Sequence, residues 1–161
     1  VNKQKPILLI DTREKRPWQF DDDESFEGVQ YTKLDAGDYT IAGLEKIITI
    51  ERKASVDELF INFTKNKKRI FAEFERLKDH PFKIIIIEES CDDVMNPNTY
   101  YVNRKHINKA SPKMPAAVVV SNLMSLMLEH GAHVIFAGTK GRSMAKGILL
   151  KAYELYQKRL L

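Results

Sequence analysis

Cysteine is nearly absent. Cys91 stands alone in 161 residues, so no internal disulfide can brace the fold, and a reducing, cytosolic compartment is expected. Long apolar runs are missing too: the first, PILLI (6–10), falls far short of the ~20 residues that span a bilayer, which argues against a membrane helix or a secretory signal. Charge of one sign is scarce. With 26 basic against 22 acidic side chains the net is +4, so attraction to a polyanion has to come from local clusters. No repeat, proline-rich linker or low-complexity tract divides the chain, although DDDESFEG (21–28) is acidic and loop-like. GTKGRS (138–143) lacks the Walker spacing, so no nucleotide cofactor is expected there, and Ser143 reads as a helix N-cap. His130 and His133 straddle a helix end and a strand start, a poor arrangement for joint metal ligation.

What is present is a globular balance. Apolar residues make up 43% and charged residues 30%, which favours a packed core over disorder, and the length fits one domain over residues 1–161. PILLIDTRE (6–14) reads as a buried strand that opens onto charges at its C-terminal end. GVQYTKLDAGDYTI (28–41) supplies one or two short strands around the Ala36–Gly37 turn, KIITIERK (46–53) supplies a β-branched one, and these are expected to form a meander. Ser55 and Glu58 have capping-box spacing, and Val56, Leu59, Phe60, Phe63, Ile70, Phe71, Phe74 and Leu77 recur at helical period, which predicts a long amphipathic helix broken near Lys65–Lys68. FKIIIIEES (82–90) has too few polar alternations for a solvated edge. A polar loop over 91–115, a helix from about Ala116 to His130 stopped by Gly131, a strand at HVIFAG (133–138) and a last helix from Ser143 complete a mixed α/β pattern with helices on both faces.

The strand KIITIERK ends in three adjacent charges. Residues two apart on a strand share a side, so Glu51 and Lys53 project together while Arg52 points to the opposite face. If the strand carrying Asp38 pairs with this one, its carboxylate lies beside Glu51, and Asp11, at the end of the first strand, can join them. Two carboxylates about 4 Å apart repel by roughly 4 kcal/mol at an effective dielectric of 20, so the cluster needs a proton or a cation. Mg2+, which prefers oxygen and keeps several waters, suits one or two carboxylates completed by a substrate phosphate. Such an ion polarises a phosphodiester and activates water, with Lys53 placed to orient that water or to stabilise developing charge. Spacing alone leaves the competing reading open, a solvated ion pair at a strand end.

GDYTIAGLEKIITIERKASVD (37–57) resembles the GD…ERK-x3-D signature of XPF-type structure-specific endonucleases, and DTRE (11–14) resembles that family's upstream D-x-R-E. The resemblance extends more loosely to KKRIFAEFERL, FKIIIIEES and the segment 115–138. It implies a restriction-endonuclease-like fold, a central mixed β-sheet flanked by α-helices on both faces, and Mg2+- or Mn2+-dependent cleavage of duplex, flapped, branched or junction DNA. By position it makes Asp38 and Glu51 metal ligands with Asp11 nearby and Lys53 the catalytic lysine, while Arg52, Asp57, Arg13, Glu14 and Arg69 become supporting or substrate-facing. Asp57, in the first turn of a helix, also suits the helix dipole. Lys65, Lys67 and Lys68 in TKNKKR, and Arg104 and Lys105 beside Tyr100 and Tyr101, are candidates to grip DNA phosphates, with a solvated surface as the alternative. The resemblance also implies homo- or heterodimers through this domain, and a nucleoid-associated or nuclear place depending on the host. No helix-hairpin-helix module is visible, and a catalytically inactive DNA-binding or dimerisation subunit of the same fold is the alternative.

Overall fold

The computed structural model describes residues 4–97 and 116–161, so the loop candidates Arg104 and Lys105 lie outside the described residues. Six strands, β1 (Ile7–Asp11), β2 (Gly28–Thr32), β3 (Tyr39–Ile41), β4 (Ile48–Lys53), β5 (Phe82–Ile87) and β6 (Ala132–Phe136), form one sheet in the order β2-β1-β3-β4-β5-β6. The helices are α1 (Val56–Thr64), α2 (Lys67–Arg76), α3 (Cys91–Met95), α4 (Ala116–His130) and α5 (Gly141–Gln157). Parallel pairings join β1 to β2, β4 to β5 and β5 to β6, whereas β3 runs antiparallel to both neighbours. As a result β1 and β4 end at the same margin of the sheet, where β3 begins.

The expected meander is not formed, because β1 inserts between β2 and β3. The cause lies in the connection after β1, which is a packed crossover: Phe20 meets Phe26 edge to face at 5.6 Å, and Trp18 stacks on Tyr39 at 4.8 Å. These rings join Leu8, Ile10, Ile41, Ile48, Ile50 and the α5 residues Ala145 and Leu149 in one core layer. On the other face, Ile85 and Ile87 pack with Leu59, Phe63, Phe74, Leu123 and Leu126 from α1, α2 and α4. Both sheet faces are therefore covered by helices, as the sequence predicts, and Ile84–Ile87 are buried in an interior strand. Burying each such side chain stabilises the fold by about 2 kcal/mol before entropy is counted.

Helix boundaries follow local chemistry. The Ser55 hydroxyl accepts from the Glu58 amide at 3.1 Å, while the Glu58 carboxylate closes the cap on the Ala54 amide at 2.8 Å, one residue earlier than a capping box requires. The predicted break falls at Lys65 and Asn66, and α2 restarts at Lys67. Gly131, at φ +67°, ends α4 as expected. Ser143 is not the N-cap of α5: a 3-10 turn over Gly138–Lys140 leads into a helix that starts at Gly141. A Cβ at Gly141 would stand 2.8 Å from Glu88 and 2.9 Å from Trp18, so a glycine there lets the helix start close to the sheet.

Candidate active site

A cleft of about 800 Å³ opens at the margin where β1 and β4 end, roofed by α1 and α2. It is lined by Asp11, Arg13, Glu14, Asp38, Glu51, Arg52, Lys53 and Arg69, together with Glu58, Asn62, Asn66, Glu73 and Glu88. Topology explains the position: β1 and β4 both run towards this margin and flank the start of β3, so their C-terminal residues and Asp38 meet there.

Gly37 sets the entry to β3. Its φ is +78°, and an added Cβ would lie 1.9 Å from the Thr49 hydroxyl, so both backbone conformation and space demand glycine. The neighbouring Asp38 amide donates to the Ile50 carbonyl at 2.8 Å, which ties the loop to β4. One Asp38 carboxylate oxygen accepts from the Arg52 amide at 2.7 Å. Burial and repulsion from Glu51 together push the Asp38 carboxyl well above its usual range, against the pull of that amide and of Lys53. The nearness of Glu51 is thus visible in the raised pKa of Asp38.

Alternation along β4 behaves as the sequence predicts. Glu51 and Lys53 are buried on the cleft side, and the Lys53 ammonium donates to Glu51 Oε1 at 2.6 Å, with Glu58 at 3.7 Å. Burial alone would favour the neutral amine, but the charges of Glu51 and Glu58 outweigh it and push the Lys53 pKa up. Lys53 therefore stays an ammonium at neutral pH, which suits charge stabilisation and not proton abstraction.

Arg52 turns to the other face. Its guanidinium bonds Glu88 at 2.8 Å and lies 4.9 Å from the Trp18 ring centre, while Glu88 also accepts from the Trp18 indole at 2.6 Å. The Arg52 guanidinium donates as well to the Arg16 carbonyl, and Glu14 stands 4.0 Å away. Asp11 is occupied differently from what its place in the sequence suggests. One oxygen accepts from the Arg13 amide and side chain, and the other from the Arg13 side chain and the Leu34 amide. Burial works against the Asp11 charge, but these bonds prevail and hold its carboxyl below the usual range. Asp57 is exposed on the first turn of α1 and does not line the cleft, whereas the next residue, Glu58, does. Lys65, Lys67 and Lys68 are exposed outside the lining, and Lys67 sits 5.4 Å from the Phe71 ring centre.

Glu73, Glu58 and Asn62 escape the sequence reading. Glu73 Oε1 accepts from the Gly37 amide at 3.1 Å, and burial with repulsion from Glu51 raises its pKa. A charged residue four positions after Arg69 on the helix was the available signal, but it resembles any solvated helical pair. In all, seven carboxylates line the cleft against six cations, and crowding around Glu51 is what raises the Asp38 and Glu73 pKa values, a repulsion that a proton or a divalent cation relieves. Among the described residues no cluster of three or more His, Cys, Asp or Glu side chains is arranged to cage a metal. The donor set that fits the position is a carboxylate pair sharing an ion with water and substrate, the coordination Mg2+ prefers.

The fold and the cleft define a class: a restriction-endonuclease-like α/β protein with a carboxylate–lysine centre at the open margin of its sheet. Its family follows from comparison. The ERCC4 domain matches residues 10–145, and the chain belongs to that family. XPF from Aeropyrum pernix is structurally similar at a TM-score of 0.61 and 18% identity, over 96% of this chain and 69% of that one. XPF from the same organism in complex with DNA aligns at 0.62 and 19%, over 93% of this chain and 66% of that one, so this chain spans about two thirds of each. No curated protein matches the sequence.

Proposed function

We propose that this chain is a divalent-metal-dependent DNA endonuclease that hydrolyses phosphodiesters at Asp38, Glu51 and Lys53. The observation that carries the reading is the pairing of two mutually repelling carboxylates with a buried ammonium at the mouth of a strand-end cleft. Membership of the ERCC4 domain family supports it. The fold similarity to an XPF solved with DNA agrees with it.

Asp38 and Glu51 would hold Mg2+ or Mn2+. When bound, the ion supplies Lewis-acid polarisation of the phosphoryl oxygen and a lowered pKa for its water. Lys53 keeps its proton and stabilises charge on the equatorial oxygens of the transition state. Glu58 gives the ammonium a second counter-charge, so Lys53 remains balanced when Glu51 serves a cation. Asp11 acts by holding Arg13, whose half-exposed guanidinium lines the cleft and is placed to meet a backbone phosphate. Arg52 supports the centre from beneath: its amide fixes Asp38 while Glu88 and Trp18 fix its side chain. Asp57 serves α1 through the helix dipole.

Junction, flap or branched DNA is the proposed substrate class. The exposed apolar side chains Met124, Met127 and Leu128 of α4 and Phe136 of the edge strand β6 are the surface proposed for a second subunit. Cleavage of single-stranded, duplex, flapped and four-way DNA with and without Mg2+ or Mn2+ tests the activity. Asp38→Asn and Glu51→Gln should each lower the rate by more than about a hundredfold, beyond the loss typical of a residue that only supports a ligand. Metal-independent cleavage, or full activity in either variant, would refute the assignment.

A further inference from the structure

The break between α1 and α2 leaves a set of polar groups that the proposed chemistry does not use. Asn62 is only 4% exposed, lines the cleft, and has no hydrogen-bond partner among the described residues. Its stem is packed, but its carboxamide is not sealed in the core and opens to the cleft, where it is placed to meet a ligand. One helical turn onward, Asn66 is the N-cap of α2, yet its side chain makes no capping bond and it also lines the cleft. The first-turn amides of α2 have no helical acceptors, as at any helix start.

Charge at this terminus is inverted. The first turn of α2 carries Lys67, Lys68 and Arg69 and no acid, although the positive end of a helix dipole disfavours cations. Arg69 lines the cleft, and among the described residues no ion pair holds it. An anion seated between the Asn62 and Asn66 carboxamides, the α2 amides and Arg69 would satisfy all of these groups at once.

Resting on the nuclease reading above, we propose that this break is a phosphate subsite that grips the DNA backbone beside the scissile position. Asn62 and Asn66 donate to the phosphate oxygens, and Arg69 with the α2 terminus supplies the positive field. The subsite would set how far along the strand the cleaved bond lies from a held phosphate.

The test uses Asp38→Asn protein without metal, so that binding is read apart from cleavage. Fluorescence anisotropy with a short labelled duplex, over a series of salt concentrations, gives affinity and salt slope. Arg69→Gln should flatten the log–log slope by about one. Asn62→Leu and Asn66→Ala should each weaken binding about tenfold at unchanged slope, the loss of a hydrogen bond to a charged group. Amide resonances of Lys67, Lys68 and Arg69 should shift on adding inorganic phosphate, and Asn66→Ala, at a solvent-accessible cap, covers the case in which Asn62→Leu fails to fold. Unchanged affinity and slope overturn the subsite, even if inorganic phosphate alone shifts those amides, while wild-type cleavage would leave the nuclease reading intact. If the wild type cleaves nothing under any metal but the slope and the amides respond, the nuclease reading fails and the subsite stands.

Discussion

Gly37→Ala isolates the loop that delivers Asp38. A non-glycine residue at φ +78° costs roughly 1–2 kcal/mol by backbone conformation alone. The new Cβ also falls 1.9 Å from Thr49 Oγ1, 3.2 Å from Thr49 Cβ and 3.4 Å from the Ile50 carbonyl, so rotating the hydroxyl away relieves only the first contact. That rotation breaks its bond to the Ala36 carbonyl, a further loss of about 1 kcal/mol. Against these stands about 0.4–1 kcal/mol gained by restricting the unfolded chain. The expected net is a destabilisation of about 1–2.5 kcal/mol in urea unfolding at unchanged m-value. Thr49→Ala in the same chain should recover little, because the bond to the Ala36 carbonyl stays lost, the contact with the residue 49 Cβ remains and the conformational cost at Gly37 persists. DNA cleavage should fall in both, since the Asp38 amide and carboxylate are anchored to β4 immediately after the displaced residue. A single variant that loses under about 0.5 kcal/mol, or a double variant restored to wild-type stability, would refute the packing argument.

Three other outcomes follow from the geometry. Glu88→Gln weakens the grip on Arg52 and alters the acceptor of the indole; with Trp18 the sole tryptophan, its fluorescence emission should shift and the fold should lose about 1–3 kcal/mol. Asp23, bonded to Lys146 at 2.7 Å and Arg142 at 3.0 Å, has its pKa held down to about 2, chiefly by the lysine, so the roughly 2 kcal/mol it contributes is present above pH about 4 and lost as pH falls toward 2. Thermal melts of wild type and Asp23→Asn should therefore converge in that window and separate above it. Asp38→Asn removes a carboxylate destabilised by burial and by Glu51 while keeping an acceptor for the Arg52 amide, so metal-free protein should melt higher, and the rise in melting temperature on adding Mn2+ should vanish.

The centre was legible because strand period is a strict geometric rule: once β4 was recognised, Glu51 and Lys53 had to share a side and Arg52 the other. Asp38 followed from pairing of its strand with β4. The order of the sheet was not legible, since nothing local states that Phe20 and Phe26 anchor a crossover and send β2 to the far side of β1. In the sequence Asp11 reads as an acid near acids, whereas its tie to Arg13 two residues on is written in the D-x-R spacing itself. Glu73 and Asn62 depend on the angle between α1 and α2, which periodicity does not specify.

The strand β4 serves two compartments with alternate residues, a hydrated cleft on one side and an aromatic clamp on the other. Deleting or inserting a single residue before Glu51 would exchange the tenants, thrusting the carboxylate and ammonium among Trp18 and Tyr39 and turning the guanidinium outward. Length variation between descendants of this fold should accordingly avoid the six residues of β4 altogether.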